Sequence, residues 1–305
     1  MRHLRTLFDL EREEFCAILD LAHQLKRDWH SGKRATYLAQ RTMALLFEKP
    51  SLRTRLSFEA GMNQLGGSTI FLSQDVGWQT RESTADFVSV LAEYCDVLVC
   101  RTFEHRTVEV LASYNVMPII NGLTDRSHPC QAMADIMTMQ ELVGDLQGKQ
   151  LTFVGDANNV CTSLLHAASI MGMRFRLLGS PNYSLSPNVV RELMAHFPKA
   201  DIVQTEDRAD ALRKADFVYT DVWTSMGQET EMEIRRQAFQ PLQVNQTLMA
   251  LAPDHCHVFH CLPARRGEEI TDQVIDGPQS AVIQQAGNRM HLQKGLLVWL
   301  ARECK

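Results

Sequence analysis

Apolar and polar positions alternate between two periods along almost the whole chain. Residues 9 to 29 set Phe15, Ile18, Leu19, Ala22 and Leu25 on one stripe at helical spacing. Thr42-Met43-Ala44-Leu45-Leu46-Phe47 is a short, nearly unbroken apolar run, as expected of a buried strand. A helix pattern starts at Ser51, a natural N-cap, with Leu52, Leu56 and Ala60 recurring every fourth residue. Strands read again at 69–72, 96–100 and 116–120, and helices at 83–94, 106–114 and 130–143; the polar segment 73–82 reads as a loop. The pattern restarts near Val143-Gly144-Asp145-Leu146-Gln147-Gly148. Strands follow at 151–154, 174–178, 201–204, 216–220 and 257–261, and a closing helix runs from Asn288 to Arg302. Such alternation predicts βαβ units. The expected fold is α/β, with two domains that are each a parallel βαβ sheet flanked by helices. The first domain is expected over 1–143, joined by the C-terminal helix 288–305, and the second over 144–287.

Open parallel sheets bind ligands beyond the carboxyl ends of their strands. Polar groups cluster after six strand ends here: Lys49–Arg55, Arg101-Thr102, His128-Pro129-Cys130-Gln131, Asp156–Asn159, Asp221–Gly227 and His260-Cys261-Leu262-Pro263. Two domains whose strand ends face one cleft would gather them. Each cluster also has a plainer reading. The first is either a phosphate site, built from a helix N-terminus with Lys49, Arg53, Arg55 and two hydroxyls, or an ordinary capped helix with a solvated basic turn. His128 is either a cap or, one turn from Gln131, a substrate ligand. Asn158 and Asn159 are a cap or an αL residue at a turn, or donate amide hydrogens to a carboxylate. Asp221 belongs to a surface loop or holds an ammonium group.

Composition narrows the classes. The 305 residues are 45% hydrophobic and 22% charged, ordinary for a globular chain and enough for two domains. The net charge of −5 and the scattered basic residues give no nucleic-acid surface. No apolar stretch approaches twenty residues and no signal-peptide core is visible, so no membrane partner and a cytoplasmic location are expected. The eight cysteines lack C-x-x-C spacing and fit reduced thiols. No Walker loop and no G-x-S-x-G elbow occurs, and Gly155-Asp156-Ala157-Asn158-Asn159 lacks the glycines of a dinucleotide turn. His255-Cys256-His257-Val258-Phe259-His260-Cys261 resembles a metal cluster only on paper, because strand neighbours point to opposite faces. The inventory that remains is phosphate-binding groups plus groups suited to an amino acid, which suggests direct transfer between two bound substrates.

Taken together, Ser51-Leu52-Arg53-Thr54-Arg55, Arg101-Thr102-Phe103, His128-Pro129-Cys130-Gln131, Asp156-Ala157-Asn158-Asn159, Asp221-Val222-Trp223-Thr224-Ser225-Met226-Gly227, His260-Cys261-Leu262-Pro263-Ala264 and Asn288-Arg289 make the chain resemble the ornithine carbamoyltransferases along nearly its whole length. The compact segment 264–280 looks like the biosynthetic form. The resemblance implies that Ser51, Leu52, Arg53 and Thr54, with Arg101, hold the phosphate of carbamoyl phosphate. It implies that His128, Gln131 and Arg289 hold the carbamoyl group, with main-chain carbonyls of Cys261 and Leu262. Asn159 would bind the ornithine carboxylate, and Asp221, Ser225 and Met226 its α-amino group. Arg53, Arg101, His128, Cys261 and Arg289 would be the catalytic set. The resemblance further implies a homotrimer, no metal and no organic cofactor.

Three departures from the family pattern stand out. Leu52 replaces a small hydroxyl residue, Ala157 replaces a glycine, and the loop Gln74–Arg81 is shorter, with Gly77 and Trp78 where family members present a residue to a neighbouring subunit. A Trp in this loop is similar to relatives that carbamoylate N-acetyl- or N-succinylornithine, whereas the Ser-Met-Gly loop favours free ornithine. The competing readings are a carbamoyltransferase for another amine, such as an N-acylated ornithine or putrescine, a non-catalytic ligand-binding subunit, and a nicotinamide oxidoreductase.

Overall fold

The unbroken apolar runs of the sequence form the central strands of two parallel sheets in the computed structural model, which describes residues 1–73, 78, 80–224 and 229–303. The chain runs through α1 (Arg12–His30), β1 (Thr42–Phe47), α2 (Leu52–Gln64), β2 (Ser68–Leu72), α3 (Thr84–Tyr94), β3 (Val97–Arg101), α4 (His105–Ser113), β4 (Ile119–Leu123) and α5 (Pro129–Val143). It continues through β5 (Gln150–Val154), α6 (Asn159–Ile170), β6 (Arg174–Leu178), α7 (Pro187–His196), β7 (Asp201–Thr205), α8 (Arg208–Leu212), β8 (Phe217–Thr220), α9 (Met232–Phe239), α10 (Gln246–Met249), β9 (His257–His260), α11 (Asp272–Ile275) and α12 (Val282–Glu303). Among the described residues no helix is long and apolar enough to cross a membrane.

The chain divides into two compact units, one of residues 1–137 with 287–305 and one of residues 138–286. The first unit holds a four-stranded sheet in the order β2-β1-β3-β4, the second a five-stranded sheet in the order β7-β6-β5-β8-β9. Every pairing is parallel. Burial follows position in the sheet. β3, β5 and β8 are buried throughout, while the edge strands β2 and β7 are partly exposed and more polar. In the first unit Leu46, Leu98, Cys100 and Ile119 pack with Val88, Leu91, Val108 and Leu111 of α3 and α4. In the second, Val154, Leu178 and Val218 pack with Leu212, Phe239, Leu248 and Val282.

Of the boundaries that differ from the sequence reading, two have a clear backbone cause. β4 starts at Ile119, not at residue 116, because Asn115 has a φ of 55° and Pro118 has no N–H to give a ladder. The last helix starts at Val282, not at Asn288: the six added positions include Gly287, which costs about 1 kcal/mol in a helix interior yet does not end it. One glycine is required by close approach. The pairing of β3 with β4 shifts register between Cys100 and Arg101, and a Cβ on Gly122 would lie 3.1 Å from the Cys100 carbonyl oxygen.

The first unit also buries a cation. Lys294 on α12 is 2% exposed; its ammonium donates to the Gln64 side-chain oxygen at 3.0 Å and lies 5.1 Å from the Trp29 ring centre. Burial, then the nearby Arg34 charge, push its pKa down to about 8. The unfolded chain therefore binds the proton more tightly than the native one, and this penalty is complete below pH 8 and fades toward pH 10.5. Lys294→Met should raise stability at pH 7 by about 1–3 kcal/mol, less the lost Gln64 bond. In urea titrations across pH, that advantage should shrink between pH 8 and 10.5; an advantage independent of pH would refute the assignment.

Candidate functional site

In the first unit, register sets the site. Phe47 at the end of β1 is paired with Arg101 at the end of β3, so Glu48–Ser51 and Arg101–Phe103 leave the sheet side by side. The Glu48 N–H donates to the Arg101 carbonyl at 2.8 Å, and the Phe103 N–H donates to the Glu48 carboxylate at 2.7 Å. Arg101 and Lys49 are both buried, and the Lys49 ammonium sits 4.5 Å from the Phe103 ring centre. Burial, then repulsion from Arg101, lower the Lys49 pKa.

Ser51 then caps α2. Its backbone is extended and its hydroxyl accepts from the Thr54 N–H at 3.3 Å. The first-turn N–H groups of Leu52 and Arg53 have no intrahelical acceptor by helix geometry. The Leu52 side chain is 70% exposed and points away from this chemistry, whereas Thr54 is fully buried. The Thr54 hydroxyl accepts from the Arg289 guanidinium at 2.8 Å, which binds α12 to the first turn of α2. Arg53 makes no ion pair among the described residues, so its charge is available to an anion.

After β4, a turn in which the Thr124 N–H donates to the Ser127 carbonyl delivers His128 to the start of α5. His128 is 4% exposed and Gln131, one turn on, 1% exposed. Burial, then the Arg289 and Arg101 charges, hold the His128 pKa well below its usual value. The imidazole is therefore neutral at neutral pH, with one N–H to donate and one nitrogen to accept. Gln131 donates its amide N–H to the Asp135 carboxylate at 2.8 Å. A helix N-terminus flanked by Arg53, Arg101, Arg289 and Lys49 suits a phosphate, and a neutral His with an amide suits a planar carbonyl group beside it.

In the second unit, three adjacent strands end in register at Val154, Thr220 and His260. Gly155, at φ 130°, turns the chain out of β5 in a conformation that favours glycine. Asn158 caps α6: its side-chain oxygen accepts from the Val160 and Cys161 N–H groups, both at 3.0 Å. The same side chain donates to one Asp221 oxygen at 2.8 Å; the other accepts from the Val222 N–H at 2.8 Å and the Cys261 thiol at 3.1 Å. Asp221 is thus a fixed carboxylate at a strand end, with Asn159 at the first position of the neighbouring helix. Arg235 on α9 ties the underside together. It donates to Asp156 at 2.7 Å, to the Trp223 carbonyl at 3.2 Å and to Glu231 at 3.0 Å.

His260 is taken up by structure. Its Nδ1 accepts from the Leu262 N–H at 2.9 Å, so Nε2 carries the proton and donates to Glu269 at 3.0 Å. Glu269 also accepts from the Arg265 N–H at 2.6 Å. Asp221, His260 and Cys261 do bring ligand atoms within 4.8 Å of one another, but both His260 nitrogens are committed. The Leu262-Pro263 bond is cis and Leu262 has a φ of 58°. Trp78 is 7% exposed and packs against Phe87 of its own unit, with ring centres 5.5 Å apart. Gly77, Ser225 and Met226 lie outside the described residues. Sequence reading assigned no part to Asp135, Arg235 or Glu269, whereas Asn158, read as a cap or as an amide donor to a carboxylate, is both. The i, i+4 spacing of Gln131 and Asp135 was the one available signal, since Arg235 and Glu269 act through tertiary contacts.

Comparison with known proteins agrees along the whole chain. The family model for the carbamoyl-P binding domain of aspartate/ornithine carbamoyltransferase matches residues 2–141, and that for its Asp/Orn binding domain matches residues 147–300. An ornithine carbamoyltransferase of Anoxybacillus flavithermus is 49% identical over 97% of this chain and 95% of its own. One from Archaeoglobus fulgidus is 44% identical over 98% and 97%. The solved ornithine carbamoyltransferase of Pyrococcus furiosus superposes with a TM-score of 0.92 at 43% identity, covering 97% of this chain and 96% of that one. The anabolic ornithine carbamoyltransferase of Campylobacter jejuni gives 0.91 at 32% identity, covering 99% and 100%.

The Asn158 clamp makes a direct prediction. Asn158→Ala removes a helix cap and a hydrogen bond to Asp221, and should cost about 1–3 kcal/mol in urea unfolding. A loss under about 0.5 kcal/mol would show that the clamp contributes nothing to stability.

Proposed function

The chain belongs to the aspartate/ornithine carbamoyltransferase family, and we infer that it transfers the carbamoyl group of carbamoyl phosphate to the δ-amine of L-ornithine, releasing L-citrulline and phosphate. The observation that carries this reading is the full-length similarity to ornithine carbamoyltransferases. The fixed Asp221 carboxylate adds the choice of amine, because a carboxylate held by Asn158 and Cys261 suits a charged α-ammonium. An Nα-acylated ornithine has no such ammonium, and putrescine, which keeps it, lacks the carboxylate that Asn159 would bind.

The division of labour follows the chemistry of each cluster. The first unit takes carbamoyl phosphate: Ser51, Arg53, Thr54 and Arg101 bind the phosphate, with Leu52 contributing backbone only. His128, Gln131 and Arg289 bind the carbamoyl group. The second unit takes ornithine: Asn159 binds the carboxylate, Asp221, Ser225 and Met226 the α-ammonium, and Cys261 adjoins the δ-amine. The chain acts in arginine biosynthesis, in the cytoplasm, as a homotrimer without metal or organic cofactor.

The reaction needs a neutral δ-amine, whose free pKa is near that of Lys, about 10. Desolvation in the site lowers it. The amine nitrogen attacks the carbamoyl carbon, and charge moves onto the carbonyl oxygen. Arg53, Thr54, Arg101 and neutral His128 are donors fixed before the reaction starts. The bond from carbon to the phosphate oxygen then breaks, and the departing phosphate takes the amine proton. No protein base is required, and positioning supplies most of the remaining acceleration.

Citrulline formation tests this, with ornithine, N-acetylornithine, N-succinylornithine and putrescine compared side by side. Turnover with ornithine alone is expected; preference for an acylated amine would overturn the Asp221 assignment. Arg53→Ala should fold normally by circular dichroism and lose at least about a hundredfold in kcat/KM, roughly 3 kcal/mol of transition-state stabilisation. Full activity in that variant would remove Arg53 from the phosphate site.

A further inference from the structure

One buried pair in the first unit has no part in the scheme above. Asp135 is fully buried on α5, one turn beyond Gln131, and its carboxylate accepts the Gln131 amide N–H at 2.8 Å. A carboxylate can only accept. It therefore decides which way the Gln131 amide faces: nitrogen toward Asp135, oxygen away from it. That oxygen is buried and has no hydrogen-bond partner among the described residues. A buried acceptor without a partner is costly, about 1–3 kcal/mol, unless a ligand supplies the donor.

We propose that Asp135 is a positioning residue that makes the first unit select a carbamoyl group over an acyl group, by holding Gln131 with its acceptor oxygen toward the ligand. This rests on the reading of the unit as a carbamoyl phosphate site. A carbamoyl group ends in NH2, which donates to the Gln131 oxygen. An acetyl group of the same shape ends in CH3, which donates nothing and leaves the oxygen desolvated and unpaired. A site built to accept a hydrogen bond rejects the isostere that lacks the donor far more strongly than a merely apolar pocket rejects a change of one methylene. The selectivity thus comes from a residue that does not touch the substrate. Had position 135 carried an amide, either orientation of Gln131 would find a partner; had it carried an apolar residue, neither would.

The test compares carbamoyl phosphate with acetyl phosphate, measured as dissociation constants by titration calorimetry so that it does not depend on turnover. Asp135→Leu keeps the branched shape and removes the acceptor. It should weaken carbamoyl phosphate binding about tenfold to a hundredfold while changing acetyl phosphate binding less than about threefold. Asp135→Asn offers Gln131 a partner in either orientation and should shrink the preference for carbamoyl phosphate, though by less than Asp135→Leu does; an undiminished preference would show that the carboxylate does not set the orientation. If Asp135→Leu does not fold, Gln131→Glu combined with Asp135→Asn replaces it. There the Asn amide donates to one Glu oxygen, the other faces the ligand, and the preference should persist even though both phosphates bind more weakly. Equal weakening of the two phosphates in Asp135→Leu would reduce Asp135 to a structural role, and loss of preference in the double variant would overturn the proposal. Wild-type protein that prefers carbamoyl phosphate yet makes no citrulline would count against the proposed reaction and leave the selectivity standing. Wild-type protein without that preference would overturn the selectivity.

Discussion

The hydrogen bond from the Arg289 guanidinium to the Thr54 hydroxyl joins residues 235 positions apart and fixes the geometry of the first unit's site. It binds the last helix of the chain to the first turn of the helix that begins at Ser51. Thr54 is thereby fixed at both ends. Its N–H serves the Ser51 cap, and its hydroxyl accepts from Arg289 and keeps its own hydrogen to donate. The cap then presents the remaining first-turn N–H groups outward, and burial, reinforced by the charges of Arg289 and Arg101, keeps His128 neutral. A protonated His128 would bring a further buried positive charge to a place already crowded with cations. The neutral ring adds no charge and keeps one N–H to donate.

The second unit reaches its chemistry by another route. Its key group is an acid, and the surrounding residues keep that acid in place. Asn158 spends its oxygen on the cap of α6 and its amide hydrogen on Asp221, so the helix start and the carboxylate become one rigid object. Arg235 repeats the arrangement one layer down, joining Asp156 to the Trp223 carbonyl at the root of the segment that follows β8. The His260–Glu269 pair does the same for the turn after β9, each partner holding one backbone N–H of residues 262 and 265. In all three cases a polar side chain fixes a loop through several hydrogen bonds, so part of its desolvation cost is offset and the loop's conformational freedom is reduced.

Much of this was legible before any coordinates. The runs at 42–47 and 151–154 had to be central parallel strands, because a segment apolar at nearly every position can be buried only between two layers. Ser51 announced the α2 N-terminus, and the motifs after six strand ends named almost every group that the two units present. Legibility failed where a boundary depended on a single backbone constraint, as at Pro118, or where a helix carried an unfavourable Gly287 on the strength of its packing. It also failed for the residues that support others. Asp135, Arg235 and Glu269 carry no motif of their own, since their roles exist only in the partners they meet.

The sequence by itself determined the fold class, the order of the elements, the caps and the chemical identity of the groups at the strand ends. Those follow from local periodicity and from which side chains can bind a phosphate or an ammonium. Only the tertiary structure decided how each group is presented: Leu52 turned to solvent and Thr54 to Arg289, His128 neutral, Gln131 with its oxygen free, Asp221 clamped on both oxygens and Trp78 packed in its own core. Orientation, protonation and exposure depend on neighbours distant in sequence, and a buried hydrogen bond has a direction that no residue type specifies alone.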